Sequence, residues 1–165
     1  MEANFRAMLP VLQDQAVRFI LIGGGAAMVH GAARLTYDVD VVYARDPDNL
    51  KRLVAALSPH QPYLRGAPPG LPFRWDEKTI QAGLNFTLTT SLGDIDFLGE
   101  VTGGGTYEQL LPYTEEIAAF GITCRVVTLP RLIQLKRAAG RPKDIEAIAE
   151  LQALLEERRK GETSS

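Results

Sequence analysis

Apolar residues fall at helical spacing over residues 4–15, with Phe5, Met8, Leu9 and Leu12 on one face, and the spacing predicts a first helix. VRFILI (17–22) is a short, β-rich apolar run that stops at glycine, as a buried strand does. Gly23–Gly25 read as a turn, and AAMVHGAA (26–33) can begin a second helix. DVDVVY (38–43) reads as the next strand, and Asp46 as an N-cap with Pro47 at the first helical position of a helix running through Leu57. Residues 58–80 are rich in Pro and Gly and read as a long loop or lid. LNFTLTT (84–90) alternates, and DIDFLG follows Ser91-Leu92-Gly93, so two adjacent strands joined by a tight connection are expected. Residues 115–120, Gly121 and 122–127 suggest another hairpin. Thr128 and Pro130 open a helix through Ala139, closed by Gly140, and Pro142 starts a last helix to about Arg158. The order predicts an α/β (α+β) chain with a mixed β-sheet backed by helices. The expected organisation is a core over 1–127, a helical extension packed on it over 128–159, and a polar, frayed tail over 160–165.

Composition narrows the classes. The 165 residues are 45% apolar and 23% charged, enough for a sizeable core in one domain. The net charge of -2 argues against a nucleic-acid binder held by bulk charge, although a local basic face is compatible with it. The single cysteine, Cys124, cannot form an internal disulfide, and no Cys/His zinc spacing occurs, which points to a reducing cytoplasm. No apolar run approaches the ~20 residues that span a membrane, and the N-terminal stretch lacks the pattern of a secretory signal. A cytoplasmic protein with no membrane partner is expected.

The chemistry lies in the acidic pairs. Side chains on a strand alternate between faces, so Asp38 and Asp40 point one way while Val39 and Val41 point the other. Like charges this close repel and raise each other's pKa unless a cation lies between them, and hard oxygen ligands suit Mg2+ or Mn2+. Asp94 and Asp96 repeat the pattern among Ile95 and Phe97. If the two strands are neighbours, three carboxylates converge, the arrangement that two-metal phosphoryl transfer uses. The alternative is an ordinary solvent-facing strand. Asp94 is expected to serve the turn after Gly93 or to support the site. Three glycines between strand and helix let backbone N–H groups approach a phosphate, or simply make a tight turn. The spacing is neither GxGxxG nor a Walker A loop, which disfavours a dinucleotide site.

IGGGAAMVHGAARLTYDVDVV, GDIDFLG and LIQLKRAAGRPKD together resemble the nucleotidyltransferase superfamily with the DNA polymerase β-like fold. More narrowly they are similar to minimal bacterial nucleotidyltransferases related to AbiEii-type toxins of toxin–antitoxin systems. The resemblance covers about residues 17–155. It implies that Gly23 and Gly24 hold a triphosphate, that Asp38 and Asp40 are the paired metal-binding acids, and that Asp96 is the third. It implies an NTP substrate (ATP among the NTPs), Mg2+ or Mn2+, and transfer of an NMP to an acceptor hydroxyl with release of pyrophosphate. The acceptor could be a tRNA end, a protein or a small molecule, and an antitoxin protein is a candidate partner. It also implies that Lys136 reaches the triphosphate and that Asp144, on the next helix, completes the site; a helix-start charge is the other reading of Asp144. Arg34 and Thr36 either contact phosphate or pair with a nearby acid and cap the strand.

Other basic residues of this stretch, Arg131 and Arg137, read as a solvated helix face, and His30 and His60 as structural or surface residues. The segment from Pro59 to Lys78, with exposed-looking Tyr63, Arg65, Arg74 and Trp75, either shapes the acceptor side or covers the core with Trp75 as its anchor. The competing function is a non-catalytic nucleotide- or protein-binding module on the same fold. The presence of all three expected acids favours the enzyme. A calcium-type structural site finds no EF-hand spacing.

Overall fold

The structure, a computed structural model, describes residues 4–33, 36 and 38–163. Helix α1 (Phe5–Asp14) starts where the Asn4 side chain accepts the Ala7 N–H, and it buries Phe5, Met8, Leu9 and Leu12. Strand β1 (Phe19–Leu21) is wholly buried. Helix α2 (Gly23–Val29) begins at the first glycine, so the expected turn is itself the first turn of a helix. Strand β2 (Val39–Tyr43) leads to α3 (Pro47–Leu57), capped by Asp46.

The segment expected to be a long loop carries structure of its own. It holds a single 3-10 turn at Ser58–His60, a two-residue strand β3 (Tyr63–Leu64) and helix α4 (Glu77–Ala82). The Asp76 carboxylate accepts the Thr79 N–H and caps α4. Strands β4 (Asn85–Thr90) and β5 (Gly93–Leu98) form the expected hairpin. A small hairpin follows, β6 (Glu100–Val101) with β7 (Gly105–Thr106), and then α5 (Tyr107–Leu110), whose Thr106 and Gln109 cap each other reciprocally. Strands β8 (Thr114–Ala119) and β9 (Ile122–Val127) pair antiparallel. Helix α6 (Leu129–Ala139) ends at Gly140 in the left-handed conformation, and α7 runs Pro142–Thr163, past the end near Arg158 and into the stretch expected to be a frayed tail.

The main sheet has the order β3-β4-β5-β2-β1-β9-β8. It is mixed: β2 runs parallel to β5, and β1 parallel to β9, while β1–β2, β3–β4, β4–β5 and β8–β9 are antiparallel. Ile20, Leu21, Val39, Val41, Ile95, Phe97 and Val126 are fully buried, so the middle strands form the core and hold the acidic strands rigidly. Helix α2 packs on β2 and α6, and α6 packs on α7. Among the described residues no helix is long and apolar enough to cross a membrane.

Candidate active site

Parallel pairing of β2 and β5 sets Val39 opposite Ile95, Asp40 opposite Asp96 and Val41 opposite Phe97. The apolar partners go into the core, and the acids share the other face. Asp38 lies one residue ahead of β2, and Asp94 two residues before Asp96 on β5. Strands more than fifty residues apart in sequence therefore bring Asp38, Asp40 and Asp96 to one cleft, with Asp94 at its edge.

Electrostatics follow from this crowding. Burial foremost, then a shared hydrogen bond with Asp96 and the charges of Asp96 and Asp38, push the Asp40 carboxyl up to about 7, with Lys136 pulling the other way. Asp96 Oδ1 is buried and has no well-aligned hydrogen bond. The nearest cation to it is the Arg65 guanidinium: Nη2 lies 2.9 Å from Asp96 Oδ1, Nε 3.3 Å from Asp94 Oδ2 and Nη1 3.5 Å from Asp38 Oδ1. The Asp96 contact is thus charge attraction without hydrogen-bond alignment. Among the described residues no three His, Cys, Asp or Glu side chains are gathered as a ready-made metal cage, and Arg65 stands among Asp38, Asp94 and Asp96.

Glycines shape the floor of the cleft. Gly23 has φ +62, and a Cβ on it would meet Asp40 Oδ2 at 2.5 Å. A Cβ on Gly24 would meet the Thr36 side chain at 2.5 Å. Both positions are glycine because neighbouring site side chains lie directly against the backbone. Thr36 Oγ1 donates to the Asp38 carbonyl at 3.2 Å and lies 3.4 Å from the Asp38 N–H, which braces the chain entering β2. Arg34 lies outside the described residues.

Two lobes flank the acids. One, of about 260 Å3, lies between α2 and α7 and is lined by Gly24, Thr36, Asp38, Asp40, Lys136 and Lys143 among others. The other, of about 240 Å3, reaches from Asp96 and Thr87 toward Leu98, Val101, Leu132 and Leu135. Lys136 and Arg141 border both. Asp144 is fully buried behind them. Its carboxylate takes Arg141 Nε at 2.6 Å and Nη2 at 3.2 Å, and Lys136 Nζ lies 3.6 Å away. Burial alone would raise the Asp144 pKa, but the hydrogen bonds and charges of Arg141 and Lys136 outweigh it and hold the group below its usual range. Asp144 is therefore an ionised anchor for two cleft cations.

Other residues lie elsewhere. His30 is buried, with Nε2 2.7 Å from the Val127 carbonyl and Nδ1 3.0 Å from Arg158 Nη2. Arg131 stacks over the Tyr113 ring, and Arg137 is exposed. Trp75, of its two expected roles, takes that of the anchor: it is half-buried against Phe86 and Phe97 and holds its segment on the sheet. Arg74 is exposed, whereas Tyr63 and Arg65 are half-buried. Arg65 was placed by sequence in a surface loop; only its register on the sheet edge, with its N–H donating to Thr87, turns it toward the acids. Arg141 and Lys143 sit in the Gly-Arg-Pro-Lys junction between α6 and α7, and a basic junction after a lysine-bearing helix was the available signal.

No protein-family profile and no curated protein matches the chain. Solved structures do. The lincosamide antibiotic adenylyltransferase LnuA, in its lincomycin-bound crystal structure, is similar over 93% of this chain and 99% of its own, with a TM-score of 0.62 and 12% identity. A protein of Thermotoga maritima assigned as a nucleotidyltransferase is similar over 90% of both chains, with a TM-score of 0.53 and 13% identity. The chain has the nucleotidyltransferase fold.

Proposed function

We propose that the protein is a metal-dependent nucleotidyltransferase that moves an NMP from an NTP to the hydroxyl of an acceptor and releases pyrophosphate. The observation that carries this reading is the parallel register that faces Asp40 with Asp96 beside Asp38, on the fold that LnuA shares. The donor set fits Mg2+ or Mn2+: all are hard carboxylate oxygens, Asp40 is crowded by burial and by the charges of Asp96 and Asp38, and Asp96 Oδ1 is buried without an aligned donor. Asp38, Asp40 and Asp96 would hold the metal, which when bound supplies charge neutralisation at the α-phosphate and acidifies the acceptor hydroxyl.

The chain's own groups divide the work between the lobes. Lys136, a mobile point charge standing between them, is suited to the triphosphate, with Lys143 on the same wall. Gly24 presents backbone to the lobe between α2 and α7, which suits the triphosphate, and Gly23 borders the second lobe against Asp40. Asp96, bordering the second lobe, is the group to take the acceptor proton as the acceptor oxygen bonds to the α-phosphorus and the bond to the pyrophosphate oxygen breaks. Asp144 holds Arg141 and Lys136 in place. Leucines 98, 132 and 135 and Val101 give the second lobe an apolar wall, which suits a small hydroxyl-bearing compound with an apolar face better than a nucleic-acid strand. LnuA is a lincosamide antibiotic adenylyltransferase, and its similar structure holds lincomycin. Ties to AbiEii-type toxins, a tRNA acceptor and an antitoxin partner rest on the resemblance in sequence, and a cytoplasmic setting on the single cysteine without disulfide or zinc spacing.

The test is pyrophosphate release from each NTP with Mg2+ or Mn2+, against a panel of hydroxyl-bearing small molecules, tRNA and a cell extract. Asp38→Asn and Asp40→Asn should each lower the metal-dependent rate by at least about a hundredfold while leaving the protein folded. Native rates in the double variant would remove these acids from the chemistry.

A further inference from the structure

Arg65 is the one described cation ion-paired with three of the clustered acids, and it comes from the sheet edge rather than from the basic α6–α7 junction. We propose that Arg65 is a resident counter-ion of the acid cluster, which a divalent cation must displace before the site can be loaded. The inference rests on the metal-binding reading above.

Geometry gives the guanidinium this place. Tyr63 and Leu64 pair with Thr89 and Leu88 of β4, and the Arg65 N–H continues the ladder to the Thr87 carbonyl at 3.0 Å. Arg65 Nη2 also donates to the Leu88 carbonyl at 2.8 Å. From there the planar head spreads one nitrogen toward each of Asp38, Asp94 and Asp96. One positive charge faces three carboxylates, so it neutralises the cluster only in part. Its own fit is imperfect, because neither Nε nor Asp96 Oδ1 finds an aligned hydrogen bond there. Buried polar atoms without aligned partners leave part of the interaction free energy unrealised.

Displacement is within reach. Side-chain exposure is 25% for Arg65, 40% for Asp38 and 41% for Asp94, so water screens these two pairs and each is weak, while Asp96, 22% exposed, makes the tighter contact. A compact divalent ion brings twice the charge and direct coordination by hard oxygens. Leaving Asp96 also draws Nη2 away from the Leu88 carbonyl, so the incoming cation must offset both contacts. Gly66, the next residue, has φ +79 and nothing beyond its chain neighbours within 4 Å of where its Cβ would be, so the turn that follows Arg65 faces open space. Arginine stays protonated at any physiological pH, so cation concentration rather than pH releases it. In the metal-free protein the same contact offsets repulsion between Asp38, Asp94 and Asp96.

The experiment is Mn2+ binding to the full-length protein, followed by electron paramagnetic resonance of free Mn2+. Arg65→Met keeps the stem and removes the competitor, and it should bind Mn2+ roughly tenfold more tightly than wild type. Arg65→Lys retains a charge and should fall between the two. Arginine-directed modification with phenylglyoxal, mapped by mass spectrometry on wild type, does not depend on any variant folding; Mg2+ should increase labelling of Arg65 several-fold. If wild type binds Mn2+ and Arg65→Met binds it equally or more weakly, or if Mg2+ leaves Arg65 labelling unchanged or lowers it, the counter-ion role is wrong while the metal site stands. If neither protein binds Mn2+, both readings fall.

Discussion

Asp40 feels burial and neighbouring carboxylates acting in one direction, and a consequence for stability follows. An unfolded chain holds this carboxyl near 3.8, and the fold raises it to about 7. Below the lower value both states are protonated and nothing is lost. As pH rises from about 4 to about 7 the unfolded carboxyl releases its proton while the folded one keeps it, so the fold loses stability. Above about 7 the cost is complete, about 4 kcal/mol at most. In chelator, Asp40→Asn should therefore melt higher than wild type, by a margin that grows from about pH 4 to about pH 7 and then levels off. A margin independent of pH in thermal melts would show that Asp40 is not driven toward protonation. Gly23 belongs to the same account. Its positive φ and the 2.5 Å approach of Asp40 Oδ2 leave no place for a methyl group. Gly23→Ala should cost about 1–3 kcal/mol in chemical denaturation, since the carboxylate must move or the turn must strain. An unchanged denaturation midpoint would mean that Asp40 is free to move away.

Among the elements, the β2–β5 pairing was readable from sequence because both strands alternate acid with apolar residue, and only adjacent placement gives the two acids a common use. Helices α3 and α6 were readable from their caps, Asp46-Pro47 and Thr128 with Gly140. Short elements were not. Strand β3 is two residues long, too brief to show a period, and its pairing comes from β4. The capping pair of α5, Thr106 with Gln109, and the Asp76 cap of α4 were present in the sequence but stood beside helices of four and six residues, without enough apolar spacing to mark them. The last helix overran its expected end because Gly161 does not break it. Its docking uses His30, which ties α2 to the Val127 carbonyl and to Arg158. His30→Ala should cost about 1–3 kcal/mol, the penalty of leaving a buried carbonyl without its donor. Burial lowers the His30 pKa below 6.5, so the folded state resists protonation and wild-type stability is lost as pH falls below that value. The gap between wild type and variant in urea unfolding should then narrow from about pH 7.5 to about pH 5.5. A gap that widens would contradict the neutral, structural histidine.

Across the whole molecule, the central strands β5, β2 and β1 fix the acids while α6 and α7 close over them with Lys136, Arg141 and Lys143. Sequence placed the acids and Lys136 in a common cleft. It could not place Arg65, because a side chain on an edge strand acquires its direction only from the register of the finished sheet. Nor could it reveal that Asp144 lies fully buried and holds Lys136 through a charge contact, since that depends on the crossing of α6 and α7. The central claim is that these groups transfer the α-phosphoryl end of an NTP rather than its terminal phosphate. The direct measurement is reaction with Mg2+ and an acceptor extract, using NTP labelled on the α-phosphorus in one sample and on the γ-phosphorus in another. The account predicts that α-label moves to the acceptor, that γ-label leaves as pyrophosphate, and that Asp96→Asn stops both. Transfer of γ-label to the acceptor, or α-label transfer that persists at the native rate in Asp96→Asn, would contradict it.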